Sequence, residues 1–275
     1  MVRVLCLGGG GLRAAFEVPI LEALLSTHHY DLILGISAGA VNGVFAAQGT
    51  FEGIRRTWED LTGRRAISSV PGALALSHRP WHNLYSLGPL HERLEGRVSL
   101  DRLQVDFACG VVERDTRNYR LLAAGDMTSD EQLCRAIVAS SSLAGLMPPV
   151  AFPVGDAEVA LYDGGHRHCV PPIPPAVVPR VEHIDVIACV PATPSEHHGE
   201  HQGLVHAMLW AFENQAEMAW QLDLDRLRTL SRDRGVRTRV YAPRRTLGGM
   251  FDGRVAAMQA RLEQGKAALD QPLEL

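Results

Sequence analysis

Two glycine-bearing turns, each set between a short apolar run and an apolar helical stretch in the first fifty residues, constrain this chain most. Val4-Leu5-Cys6-Leu7 runs into Gly8-Gly9-Gly10-Gly11, and Leu32-Ile33-Leu34 runs into Gly35-Ile36-Ser37-Ala38-Gly39. Continuous apolar runs ended by glycine predict buried strands over residues 2–7 and 31–36. Residues 12–25 carry Leu12, Ala15, Phe16, Ile20, Ala23 and Leu24 near helical spacing, with Pro19 kinking the helix or lying near its start. Residues 38–48 are apolar almost all round and predict a buried helix. Strand, turn and helix, twice over, predict a parallel sheet covered on both faces.

The rest of the chain continues that pattern. A helix is expected over 51–61. Residues 63–90 are punctuated by Pro71, Gly72, Pro80, Gly88 and Pro89 and predict a long loop or a short-helix cap over a pocket. Trp81, Leu84, Tyr85 and Leu87 there would form an apolar lip. Met208, Leu209, Trp210 and Phe212 form either a second lip or ordinary core, and core is favoured by their helical setting. Strands are predicted over 105–112, 118–123, 159–162, 183–190 and 237–241. Thr128-Ser129-Asp130-Glu131 opens a helix through residue 139, and further helices are expected over 203–230 and 254–269. The prolines at 171–179 are followed too soon by a strand to mark a boundary, so residues 1–275 are read as one domain.

Charge and cysteines bound the function. Lys plus Arg is 27 and Asp plus Glu is 31, a net charge of −4 that argues against nucleic-acid binding. The five cysteines are odd in number, widely spaced and without a Cys-x-x-Cys, as for free thiols in a reducing compartment. The first apolar run is too short for a signal peptide, and no window approaches a membrane span. A cytoplasmic protein is expected, with peripheral contact to a membrane surface left open.

Gly35-Ile36-Ser37-Ala38-Gly39 has the form Gly-x-Ser-x-Gly, in which a serine sits on a sharp strand-to-helix turn with small neighbours. A Ser-His-Asp triad is disfavoured: the serine comes at the second strand, and no downstream histidine stands out as a base. His166 and His168 follow Asp163 closely. His197, His198, His201 and His206 crowd a polar stretch that reads as a solvated segment, with no Cys or carboxylate spacing to support a metal site. The Gly8–Gly11 run lacks the Gly-Lys-Ser/Thr of a P-loop. Gly9-x-Gly11-x-x-Ala14 fits a dinucleotide fingerprint, but Asp31 begins the second strand where an acidic residue should end it. The remaining reading is a loop of free N–H groups for an oxyanion. Arg13 beside it adds positive charge or fixes the loop. Tyr162-Asp163-Gly164-Gly165 ends an apolar strand. Asp-Gly is also a common turn, but glycines that let a substrate approach favour a functional carboxylate over Asp115, Asp126 or Asp156, which lie in polar turns.

Gly9-Gly10-Gly11-Leu12-Arg13-Ala14, Gly35-Ile36-Ser37-Ala38-Gly39 and Asp163-Gly164-Gly165 together resemble the patatin-like phospholipase family. Residues 18–24 resemble its first helix, and residues 139–150 the segment before its aspartate. The similarity spans about residues 3–175, with 176–275 completing the same domain. Ala14 stands where the family has a glycine, and Pro19 where it often has one. The resemblance implies a three-layer α/β/α sandwich around a mainly parallel sheet and a serine hydrolase of lipid acyl esters with no cofactor or metal. Ser37 would be the nucleophile and Asp163 the base. Gly9, Gly10, Gly11 and Leu12 would form the oxyanion hole, with Arg13, Gly35, Gly39, Gly164 and Gly165 supporting. Burial would have to raise the pKa of Asp163 for it to work as a base. Two alternatives stand beside this: an acyltransferase on the same serine, although malonyl transferases of similar fold carry His where this chain has Ile36, and a non-enzymatic binding protein.

Overall fold

The computed structural model describes residues 1–61, 68–69, 85–155, 157–193 and 204–275. Trp81, Leu84, Asp156, His197, His198 and His201 lie outside them. Strand β1 (Val2–Leu7) leads through a 3-10 turn (Gly11–Phe16) into α1 (Glu17–Thr27). Then follow β2 (Leu32–Ile36), α2 (Ala38–Ala47), α3 (Phe51–Leu61), β3 (Ser68–Ser69), β4 (Tyr85–Ser86) and α4 (Gly88–Leu94). The middle of the chain holds β5 (Asp106–Glu113), β6 (Tyr119–Ala123), α5 (Asp130–Ser140), β7 (Val150–Val154) and β8 (Ala157–Asp163). It ends with β9 (Val181–Ile187), α6 (Leu204–Arg234), β10 (Arg237–Tyr241), α7 (Val255–Leu269) and β11 (Leu273–Glu274).

Nine strands form one sheet in the order β11-β10-β9-β1-β2-β5-β8-β7, with β6 also on β5. The run β10-β9-β1-β2-β5 is parallel, as the alternating strands and helices require, while β11, β6, β7 and β8 pair antiparallel. The sheet is therefore more mixed than the first fifty residues imply. One cause is the hairpin β7–β8, whose first strand the sequence hides because Pro153 interrupts it. Proline is tolerated there because β7 is the edge of the sheet.

Strand period sorts the core into two layers. Leu5 and Leu7 of β1 face α1, α2, α5 and α7, which contribute Ile20, Phe45, Ile137 and Met258 to one apolar cluster. Val4 and Cys6 point the other way, against Trp220, Leu224 and Leu227 of α6. Helices thus cover both faces, giving the three-layer α/β/α architecture. Trp220 is fully buried and donates its indole N–H to the Pro191 carbonyl at 3.1 Å. Its removal would cost about 3–5 kcal/mol, so α6 is held firmly on its layer. Leu87 is buried; of the 208–212 group, Met208, Leu209 and Phe212 pack half-buried against the core, as their helical setting suggested, whereas Trp210 is 45% exposed and is not core.

Candidate active site

The serine turn is strained, and close packing keeps it so. Ser37 has φ 56° and ψ −126°, which costs a residue other than glycine about 1–3 kcal/mol. A Cβ at Gly35 would lie 2.5 Å from the Gly39 carbonyl oxygen, and one at Gly39 would lie 2.5 Å from that of Gly8. Both positions therefore demand glycine, because the start of α2 presses on the glycine turn after β1. The Ser37 N–H donates to Ser140 Oγ at 2.9 Å, and the Ser140 hydroxyl donates to the Gly110 carbonyl at 2.7 Å.

Strand register brings the aspartate to the serine. Gly110 of β5 pairs with Ile36 of β2 and Leu121 of β6, so β2 and β6 lie on opposite edges. Val111 pairs with Arg120 of β6 and Asp163 of β8. Strands β2 and β8 therefore share one edge of β5. They run in opposite directions and meet end to end, β2 at Ile36 and β8 at Asp163. Gly164 packs on the Gly110 carbonyl, where a Cβ would approach within 2.5 Å.

Asp163 is 1% exposed. Its Oδ1 accepts the Gly165 N–H at 2.7 Å, and its own N–H donates to the Ser142 carbonyl at 2.8 Å. Its Oδ2 is buried without a hydrogen-bond partner. The Ser37 hydroxyl lies near enough to lower the pKa without closing a hydrogen bond onto Oδ2. Burial dominates and pushes the carboxyl up to about 7, against the Gly165 N–H and the Ser37 hydroxyl.

Two other buried aspartates show the contrast. Asp185 takes both forks of Arg239 and the Tyr30 hydroxyl. Asp223 takes Arg226, His168 Nδ1 and the Val170 N–H. Asp115 and Asp126 are exposed. Neither nearby histidine reaches the pair: His166 Nε2 accepts the Ala144 N–H at 2.9 Å, its pKa lowered by burial, and His168 serves Asp223.

The glycine turn lies along the same cavity, which is bounded by Gly10, Ser37, Asp163, Phe212, Met250 and their neighbours. Only part of the expected amide set is available. Gly9 N–H donates to the Cys169 carbonyl at 3.0 Å, and Leu12 N–H donates to the Met250 carbonyl at 2.9 Å. Among the described residues, the N–H groups of Gly10 and Gly11 meet no acceptor. Gly11 takes φ +55° with Met250 packed where a side chain would project. Arg13 fixes the loop: its Nε donates to the Gly248 carbonyl and its Nη2 to Glu213 Oε1, each at 2.6 Å.

Sequence reasoning left Ser140, Ser142 and Met250 without a place at the site; Phe212, weighed there as lip or core, lines the cavity. The two serines were legible only as part of the 139–150 segment. Met250 follows a glycine pair with no local pattern to mark it.

The class that the geometry defines is a three-layer α/β/α protein with a serine on a strand-to-helix elbow, at the carboxyl end of its parallel strands. The patatin-like phospholipase family model matches residues 5–176, and the chain belongs to that family. Among solved structures, the crystal structure of VipD from Legionella pneumophila is similar, with 11% identity, a TM-score of 0.45, and coverage of 100% of this chain and 68% of that one. No curated protein sequence matches.

Proposed function

We propose that the protein hydrolyses acyl esters of lipids through Ser37 and Asp163. The observation that carries this reading is the unpartnered, buried Oδ2 of Asp163 beside a strained serine. A carboxylate with a raised pKa is a competent base near neutrality. Ser37 Oγ attacks the ester carbonyl carbon while its proton passes to Asp163 Oδ2. The amides of Gly10 and Gly11 receive the oxyanion, with the dipole of α2 behind Ser37. The tetrahedral intermediate collapses and the alcohol leaves with the proton from Asp163. Water then gives its proton to Asp163 and attacks the acyl-serine, the acid departs, and the proton returns to Ser37 Oγ.

Leu143, Val190, Phe212, Ala216 and Met250 give the cavity an apolar wall, against which the carbons next to the ester carbonyl would pack. Among the described residues no helix is long and apolar enough to cross a membrane, so lipid would be met at a micelle or membrane surface. The test is a panel of acyl esters of graded chain length, with and without micelles, run on wild type and Ser37→Ala. Fluorophosphonate labelling runs alongside. Turnover and labelling should both vanish in Ser37→Ala; ester turnover that survives it overturns the reading.

A further inference from the structure

Arg261 lies on α7, beyond the residues that the family model matches, and is 1% exposed. Its guanidinium meets a cage of backbone carbonyls. Nε donates to Leu247 at 3.0 Å, Nη1 to Asp252 at 2.7 Å and Leu12 at 3.2 Å, and Nη2 to Gly249 at 2.8 Å. Nη1 also touches Met258 Sδ at 3.2 Å. None of these partners is a carboxylate, and the Asp252 carboxylate is taken by Arg254. Burying a cation so fully is costly without strong partners. Here the carbonyl dipoles of residues 247–252 supply them, so that loop is wrapped around the guanidinium.

The loop in turn grips the glycine turn. The backbone of Leu12 is held through both of its flanking peptides, its N–H by the Met250 carbonyl and its C=O by Arg261 Nη1. Gly248 holds Arg13. Gly265, one turn further along α7, packs against the Phe16 carbonyl, where a Cβ would approach within 2.2 Å. Gly10 and Gly11, whose amides are unengaged, immediately precede this clamped residue.

We infer that Arg261 is a positioning residue for the oxyanion amides: it uses the carboxyl-terminal helix to lock the 247–252 loop and the Leu12 backbone, and through them the Gly10–Gly11 turn. This rests on the hydrolase reading above. Amides stabilise an oxyanion only when held in place beforehand, so loosening the clamp raises the barrier to reaction; of the apolar cavity wall it shifts Met250 alone, and Leu143, Val190, Phe212 and Ala216 stay in place. Lysine keeps the charge but lacks the planar fork that spans several carbonyls.

Arg261→Lys and Arg261→Gln are assayed well below their melting temperatures against Asp185→Asn, a control that breaks a buried ion pair away from the cavity. Both Arg261 variants should lose about 10- to 100-fold in kcat and in the rate of fluorophosphonate labelling. KM should stay within about twofold. Asp185→Asn should lose stability and keep kcat. An Arg261→Lys variant that melts lower but keeps wild-type kcat and labelling rate overturns the inference and leaves the hydrolase reading standing. A wild type that neither labels nor turns over any ester fails the hydrolase reading itself. Should the variants not fold, amide exchange of the wild type decides. The Leu12 amide should exchange in the same slow opening as α7, and exchange at the rate of exposed loop amides overturns the clamp.

Discussion

Replacing Asp163 by asparagine should abolish ester hydrolysis and make the protein more stable, by an amount that depends on pH. The carboxyl rises from 3.8 to about 7 on burial, at a site where one oxygen has no partner. Between those two pH values the folded chain holds a proton that the unfolded chain has released. Stability therefore falls as pH rises through that window, and the whole penalty is present above about pH 7. At about 1.4 kcal/mol per tenfold step, the span from 3.8 to about 7 amounts to about 4 kcal/mol. Asparagine never ionises, still offers an oxygen to the Gly165 N–H, and turns an amide toward Ser37. Asp163→Asn should thus gain up to about 4 kcal/mol at pH 8 and almost nothing at pH 4. For a chain of this size, that is a rise in Tm of roughly 8–16 °C at pH 8. Thermal melts of wild type and variant across pH 4 to 8 measure it. A Tm difference that does not grow with pH refutes the raised carboxyl. Wild-type kcat/KM should also climb with pH, standing near a tenth of its plateau at pH 6, because the base works only when ionised.

Ser140→Ala should lower kcat by about 10- to 100-fold with little change in KM. It should also cost about 2–4 kcal/mol, because the Ser37 N–H and the Gly110 carbonyl both lose their partner; unchanged kcat would show that the elbow holds without it. Glu17 is fully buried against Asn42 and Cys189, and burial pushes its pKa up to about 8. Its folded pKa lies above the unfolded one, so stability is lost as pH rises toward 8. Glu17→Gln should flatten that loss in melts between pH 6 and 9, and parallel curves for the two proteins would count against it.

The local parts of this protein are written in short stretches of its sequence. Glycines at 35 and 39 around Ser37, a glycine run after β1 and an Asp-Gly-Gly after an apolar strand each follow from chain geometry that neighbouring residues impose. So do the strands and helices of the first fifty residues, where apolar periodicity and glycine leave little choice. Tertiary structure alone decided how these parts meet. That β2 and β8 share one edge of β5 depends on strand pairing between distant segments, and Pro153 conceals the hairpin that turns β8 round. Which amides of the glycine turn are spent was likewise invisible, because their acceptors, Cys169 and Met250, come from far along the chain. The pKa of Asp163 is of the same kind: a carboxyl is perturbed by the water it loses, and only the packed fold determines how much water that is.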